Sequence, residues 1–181
     1  MELRPDLLLR AAAKAMADVV LPALDADNKL AQEQGQLVLA SLNLVLQRLP
    51  QMYRFDCDQL ERSVGFAAQV GEIAERAGGG SDAAAALVQS ASAGAEVLAR
   101  AQADPAELQA ANLNLYEKIG AVVTAICAEA PDAVLAEVGR AVTANAADQL
   151  LRDRAWVAPQ GWEPGAAALP AVETLITRPP G

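Results

Sequence analysis

The chain has 181 residues, of which 53% are hydrophobic and 3% aromatic, and its net charge is −9. That length predicts one domain, large enough to bury a core without a disulfide or a metal. Alanine supplies much of the hydrophobic fraction, and it is the strongest helix former because it loses no side-chain entropy. The β-branched and aromatic runs that favour strands are missing. Composition therefore predicts an all-α protein.

The acidic balance argues against two classes of partner. There are 14 basic and 23 acidic residues, with no basic stripe to neutralise phosphates. We therefore expect no nucleic-acid partner and no anionic membrane surface. No stretch reaches the roughly 18 to 20 uncharged apolar residues of a membrane span, and the N-terminus lacks the pattern of a signal peptide. These features predict a cytoplasmic protein.

The first helix is predicted from about Pro5 to Asp25. Pro22 should kink or end it near Leu21, because proline lacks the N–H of the helical hydrogen bond. Helical spacing predicts one inward apolar stripe, which consists of Leu8, Ala12, Ala15 and Val19, with Leu24 as a further candidate.

The second helix is predicted from about Asp27 to Leu49. Its leucines repeat every seven positions, and valines beside them widen the apolar face. A helix that is apolar on most sides is typical of the centre of a bundle. We therefore expect this helix to be the central one.

Four further helices follow, separated by the glycine run at positions 78–80 and by Pro105 and Pro131. The segment from Asp104 to Glu107 matches a capping box with proline at the first helical position. The predicted helices run from about Asp56 to Ala77, Asp82 to Ala103, Pro105 to Glu129, and Pro131 to Ala155. Their predicted inward residues, in the same order, are Leu60, Val64, Ala67, Val70 or Gly71, and Ala74; Leu87, Val88, Ala91, Ala95 and Leu98; Leu108, Leu115, Ile119, Val122 and Ile126; and Leu135, Val138, Val142, Ala146 and Leu150.

The chain changes character after residue 157, where prolines and glycines exclude a long helix. Trp156 and Trp162 bracket this boundary. We predict a bundle of about six helices over residues 1–157 and an extended proline-rich tail over residues 158–181. The tail packs either on the bundle or on a partner subunit.

Histidine is absent from the sequence. Its absence removes the commonest general base, the commonest metal ligand and the ligands of a di-iron bundle. No CxxC pair, Walker loop or GxGxxG motif occurs either. We therefore expect no cofactor, no metal and no catalytic residue. Asp56, Asp58 and Glu61 lie beside Tyr53 and Cys57, but neighbouring carboxylates raise a thiol pKa, so we interpret this group as structural.

Four polar residues in apolar helical stretches are candidates for binding a ligand: Asn43, Asn112, Asn114 and Tyr116. A buried asparagine is costly unless it is paired. These side chains either orient a ligand in a cavity or bond to one another and to backbone carbonyls inside the bundle.

Some segments resemble a small helical bacterial family of unknown function. They are Arg4-Pro5, the stretch from Leu8 to Ala12, Val20-Leu21-Pro22-Ala23-Leu24, and the opening from Asp104 to Leu108. Members of that family are encoded beside aminoglycoside-phosphotransferase-like and acyl-CoA-dehydrogenase-like enzymes. The resemblance covers about half of the chain, and the stretch from Gln32 to Leu37 lacks the family's His-Ala-Arg segment. It implies a genomic context and no mechanism.

The sequence is compatible with three functions. The first is a non-catalytic accessory or interaction protein that forms homo-oligomers. The alanine-rich fourth helix, with Ser90, Ser92 and Gly94, fits close packing within the chain or across a two-fold axis. The second is a binder of a small apolar ligand in a pocket between helices. The third is an enzyme that uses a carboxylate, tyrosine or cysteine without histidine.

Overall fold

The structure is a computed structural model that describes residues 4–78, 82–162 and 165–176. Over these ranges the chain forms helices and turns without a β-strand, so the predicted all-α bundle is confirmed. The six long helices are α1 (Pro5–Ala15), α2 (Lys29–Arg48), α3 (Met52–Arg76), α4 (Asp82–Leu98), α5 (Pro105–Glu129) and α6 (Asp132–Val157), and a short α7 (Val172–Leu175) follows. Residues 163–164 and 177–181 of the predicted tail lie outside the described residues.

The chain divides into two compact units, residues 1–52 with 153–172 and residues 53–152 with 173–181. We call them the first and the second unit. The predicted boundary between a bundle and a tail at residue 157 stays a prediction.

The second unit holds the main apolar core. All five inward residues predicted on α5 are buried, and Leu108 and Leu115 have no exposed surface. On α3 four of the five predicted residues are buried, and Val64 packs against the same core. Each fully buried side chain of this size stabilises the fold by about 1.5 to 3 kcal/mol. On α4 the prediction is wrong at Val88, which is 57% exposed, and at Ala95, which is also exposed.

Close helix packing in the second unit is seen at Gly94 on α4, which packs along α5. A Cβ at Gly94 would lie 3.1 Å from Val64 Cγ2 and 3.3 Å from Leu115 Cδ1. The neighbours that approach this small residue therefore belong to the same chain.

The capping box at the start of α5 is confirmed. The Asp104 carboxylate accepts a hydrogen bond from the Ala106 amide at 2.8 Å, and the Glu107 carboxylate accepts one from the Asp104 amide at 3.3 Å. Helix α3 begins at Met52, a turn earlier than predicted, because a 3-10 turn at Leu49–Gln51 leads directly into it.

In the first unit α1 continues through a π-helical turn at Met16–Val20 and one α-turn at Leu21–Ala23. The Leu21 amide donates to the Met16 carbonyl, five residues earlier. This wide turn lies just before Pro22, where a helical N–H is missing. The helix then ends, as predicted from the proline, and Asn28 caps α2 by accepting from the Ala31 amide at 3.0 Å.

The predicted orientations of α1 and α2 are wrong. On α1 the buried residue is Ala13, whereas Leu8 is 54% exposed and Val19 is 65% exposed. Helix α2 is not central, because its buried residues are Gly35 and Arg48. A Cβ at Gly35 would lie 2.5 Å from Leu21 Cδ2. Helix α2 thus turns its small residue toward the end of the first helix, and this rotation leaves part of the leucine repeat exposed.

Arg48 caps the end of α6 within the first unit. Its Nε donates to the Trp156 carbonyl at 2.8 Å and its Nη2 donates to the Ala155 carbonyl at 2.9 Å. The guanidinium carbon lies 5.3 Å from the centroid of the Trp156 ring, a distance typical of a cation–π contact. Carbonyls at a helix C-terminus lack helical partners, and this arginine satisfies two of them.

Candidate functional site

The second unit contains a buried carboxylate, Asp58 on α3, whose side chain is fully buried. Its Oδ2 accepts from Arg62 Nε at 2.9 Å and from Arg152 Nη1 at 3.1 Å. Arg62 lies one turn later on α3, and Arg152 lies near the end of α6 with a 3% exposed side chain. A buried carboxylate is tolerated only with such partners, because an isolated charge is strongly disfavoured in the interior.

A second carboxylate, that of Asp148, lies beside the positive charges of Arg62 and Arg152. Asp148 Oδ2 lies 2.8 Å from Arg62 Nη1 and 3.6 Å from Arg152 Nε. That Nε is buried and makes no hydrogen bond within the described residues. Burial lowers the pKa of Arg62, but the hydrogen bonds and charges of Asp58 and Asp148 outweigh burial and raise it. Arg62 therefore keeps its positive charge and does not act as a general acid.

The cluster extends through uncharged side chains to α5. Arg152 Nη1 donates to Gln59 Oε1 at 3.4 Å, and Gln59 Nε2 donates to the Tyr116 hydroxyl. The Tyr116 hydroxyl in turn donates to Gln149 Oε1 at 3.3 Å. One turn after Gln59, the Ser63 hydroxyl donates to Asn112 Oδ1. We call these residues the polar cluster: Asp58, Gln59, Arg62, Ser63, Asn112, Tyr116, Asp148, Gln149 and Arg152.

Two of the four predicted ligand-binding residues meet in this cluster. Asn112 and Tyr116 are half-buried and hydrogen-bonded to α3. Asn114 points to the exposed side of α5, and Asn43 is exposed on α2 in the first unit. The structure therefore does not assemble the four residues into one site.

Arg62, Asp148 and Arg152 were not predicted as members of a cluster, and Asp58 was predicted only as part of a structural group with Cys57. On α6 three predicted inward residues are wrong, since Val142 is 37% exposed, Leu150 is 58% exposed, and Ala146 is also exposed. The helix instead presents Gln149 and Arg152 to α3. The signals that could have indicated this were local: Asp58 and Arg62, and likewise Asp148 and Arg152, are four residues apart on their helices.

The thiol near the start of α3 is not activated. Burial raises the pKa of Cys57, and the nearby Asp56 and Glu61 carboxylates raise it further, although a hydrogen bond with Tyr53 opposes them. The predicted effect of the carboxylates is thus confirmed. Burial also raises the pKa of Asp56, against a hydrogen bond that its carboxylate accepts from Gln109 Nε2 at 3.4 Å. A protonated thiol is a poor nucleophile and a poor metal ligand.

Neither a metal centre nor a membrane span is found in the described part of the chain. No three residues of the metal-binding types come close enough there to hold an ion, and Cys57 and Cys127 are free thiols. None of the helices in those ranges combines the length and the apolarity needed to cross a bilayer.

A small cavity lies near the C-terminal ends of α3 and α5. Its volume is about 190 Å³, below the roughly 300 to 1,000 Å³ typical of ligand pockets. The lining is mostly apolar with one carboxylate, and consists of Ala74, Ala77, Gly78, Val122, Ala125, Ile126, Glu129 and Ala130. None of the four predicted ligand-binding residues lines it.

No protein-family model, curated protein or solved structure matches this chain. Its function is therefore inferred from burial, charge and packing.

Proposed function

We propose that the protein is a non-catalytic interaction protein that self-associates through the hairpin of α1 and α2. Support comes from the large apolar side chains that this hairpin exposes, with exposed fractions of 37% to 67%. Monomeric proteins seldom leave large apolar patches open, and such patches mark interaction surfaces. We call the set the hairpin face: Leu7, Leu8, Val19, Val20, Leu30, Leu37, Val38 and Val45.

The spacing of the exposed residues on α2 supports an interface. Leu37 and Val38 follow Leu30 by seven and eight positions, and Val45 follows them by eight and seven. The four residues therefore share one side of the helix. Helix α2 has 20 residues and is about 30 Å long. Two such helices side by side, each about 10 Å wide, together present roughly 600 Å² in projection. A stable dimer buries about 800 Å² of accessible surface on each partner, which is of the same order.

The charge distribution favours a second copy of this chain as the partner. Residues 4–48 contain five basic and five acidic side chains, so their net charge is zero, whereas the whole chain carries −9. Two copies that meet elsewhere would bring like charges together, which costs free energy. At the hairpin face they meet through the neutral part of the chain. The charged residues counted are Arg4, Arg10, Lys14, Lys29 and Arg48, and Asp6, Asp18, Asp25, Asp27 and Glu33.

The pairing of the ionisable groups supports the non-catalytic part of the proposal. Asp58 is held between Arg62 and Arg152, and Arg62 also pairs with Asp148. A general acid or base needs a pKa near the working pH and access to a substrate. A fully buried carboxylate between two guanidinium groups offers no such access.

Two expectations from the sequence complete the proposal. We retain the sequence-based expectation of a cytoplasmic location. The acidic balance argues against a nucleic-acid partner. The resemblance to the helical bacterial family suggests an accessory role beside enzymes of the kinds encoded near that family.

The test is sedimentation velocity on the full chain over a wide concentration range. We expect the wild type to dimerise and the double variant Leu30→Glu, Val38→Glu to be monomeric, with unchanged helical circular dichroism. Leu113 on α5 provides a matched control, because it is 67% exposed, as Leu30 is. The variant Leu113→Glu should still dimerise. A wild type that stays monomeric at every concentration would contradict the proposal, as would a loss of the dimer only in Leu113→Glu.

A further inference from the structure

A groove between α3 and α4 of the second unit combines an apolar floor with an acidic rim. Its volume is about 240 Å³. The rim carries Glu72 and Glu75 of α3, both exposed, and Val88 of α4, which is 57% exposed. We call this region the acidic groove, and its lining consists of Ala67, Ala68, Gly71, Glu72, Glu75, Val88, Ala91 and Ser92.

The groove is open because most of the residues that line it are small. Apart from Val88 and the two glutamates, the lining is alanine, glycine and serine. A Cβ on Gly71 would meet no atom within 4 Å. The space is smaller than the roughly 300 to 1,000 Å³ of a pocket for a small molecule. It therefore suits an inserted side chain of a partner protein better than a whole small ligand.

The two rim carboxylates have no cation beside them in the part of the chain that the structure describes. Neither Glu72 nor Glu75 makes a salt bridge or a side-chain hydrogen bond there, and Arg76 pairs instead with Glu137 at 2.6 Å. Both glutamates lie near the C-terminal end of α3, where the helix dipole disfavours negative charge. A positive charge brought by a partner would offset the dipole and the repulsion between the two carboxylates.

The charge of the second unit argues against a second copy of this chain in the groove. Residues 53–152 and 173–181 contain eight basic and fifteen acidic side chains, so the net charge of the unit is −7. Two copies that met through this unit would repel each other. The neutral hairpin of a second copy would supply no net positive charge. Charge complementarity therefore favours a basic segment of another protein.

We propose that the acidic groove binds a basic amphipathic helix of a partner protein, with an apolar side chain between α3 and α4 and lysine or arginine side chains at Glu72 and Glu75. Small residues on both helices let a third helix approach, as in ridge-into-groove packing. The two glutamates are three positions apart, so their Cβ atoms are separated by about 5 to 6 Å. Basic residues one turn apart on the docked helix match that spacing. This inference does not rest on the hairpin face, which lies in the first unit.

The test is fluorescence anisotropy of a labelled peptide titrated with the full chain at low ionic strength. The probe is a capped peptide of about 15 residues, with leucine at every third or fourth position and lysine at the flanking positions. One control peptide replaces every lysine by glutamine, and the other replaces every leucine by alanine. We expect saturable binding of the leucine–lysine peptide and clearly weaker binding of both controls.

Two changes in the protein test the two parts of the groove separately. The double variant Glu72→Gln, Glu75→Gln removes the charges of the rim and should weaken binding about tenfold, because two exposed ion pairs are lost. Gly71→Leu fills the groove, retains both glutamates and should weaken binding at least as much. Circular dichroism checks the helical content of each variant.

Each change has a matched control elsewhere in the second unit. The double variant Glu96→Gln, Glu129→Gln removes the same charge from two exposed residues outside the groove. Gly120→Leu adds the same side chain at a position where a Cβ also meets nothing within 4 Å. Both controls should bind the leucine–lysine peptide as the wild type does.

Three results would overturn the proposal. The first is a wild type that does not bind the leucine–lysine peptide, and the second is a groove variant that binds as well as its matched control. The third is equal binding of the glutamine peptide, which would assign the groove to an uncharged partner. If Gly71→Leu abolishes self-association in sedimentation velocity, a second copy occupies the groove and the proposal is wrong. Peptide binding and dimerisation through the hairpin face are measured separately, so either can fail without the other.

Discussion

Replacing Asp58 by asparagine tests how the polar cluster contributes to stability. The substitution keeps the shape of the side chain but removes the charge that lies 2.9 Å from Arg62 and 3.1 Å from Arg152. Breaking a buried ion pair by removing one partner costs about 3 to 5 kcal/mol, because the other charge stays buried. Here Asp148 still faces both arginines, and the asparagine oxygen can still accept a hydrogen bond. We therefore expect a loss of about 3 kcal/mol, at the lower end of that range.

The free energy of unfolding is measured by urea denaturation at neutral pH, followed by far-ultraviolet circular dichroism. A change in midpoint without a change in slope is expected, since the exposed surface on unfolding stays the same. Asp148→Asn is the matched control. The Asp148 side chain is 48% exposed, so its loss should cost about 1 kcal/mol or less.

A third variant separates charge burial from packing. Replacing Asp58 and Arg152 together by methionine removes both charges, while Arg62 keeps its pair with Asp148. Apolar replacements of a buried pair are often neutral or stabilising, so this double variant should be more stable than Asp58→Asn. The reasoning is refuted if Asp58→Asn stays within about 1 kcal/mol of the wild type, or if Asp148→Asn costs as much.

Two further predictions concern single positions. Gly94→Ala should lower the thermal midpoint, because its Cβ would lie 3.1 Å from Val64 Cγ2, and overpacking of about 1 to 3 kcal/mol exceeds the helix-propensity gain of about 1 kcal/mol. Gly120→Ala, which meets nothing within 4 Å, should raise it, and equal shifts would contradict the packing argument. In the native protein iodoacetamide should modify exposed Cys127 well before Cys57, which is 8% exposed with a raised pKa. Because the thiolate is the nucleophile, Cys57 should react only well above pH ~8.5, and equal rates by mass spectrometry at neutral pH would contradict this.

Much of the helical layout could be predicted because it depends on local chemistry. The capping box at Asp104 and the proline after it set the start of α5. Helix α5 has one side of large aliphatic residues, and Leu108, Leu115 and Ile126 are buried there as predicted. The orientation of α1 and α2 could not be predicted in the same way. Alanine- and leucine-rich helices carry apolar residues on more than one side, so the choice depends on contacts with a neighbour, such as the approach of Leu21 to Gly35.

The candidate site could be predicted only in part. Asn112 and Tyr116 were recognisable as polar residues in an apolar helix, and both join the polar cluster. Their partner Gln59 lies 57 residues from Tyr116, and Arg152 lies 94 residues from Asp58. Pairings over such separations depend on how α3, α5 and α6 pack, and a single sequence carries no local signal for them.

The position of the two tryptophans determines what intrinsic fluorescence can report. Trp156, beneath the Arg48 guanidinium, and Trp162, 54% exposed, both belong to the first unit. Emission excited selectively in tryptophan therefore follows that unit alone, whereas the second unit contributes only the tyrosines Tyr53 and Tyr116. A neutral quencher such as acrylamide should reach Trp162 before Trp156. Denaturation curves from emission and from circular dichroism would coincide only if both units unfold together, so this pair of signals measures the cooperativity between them.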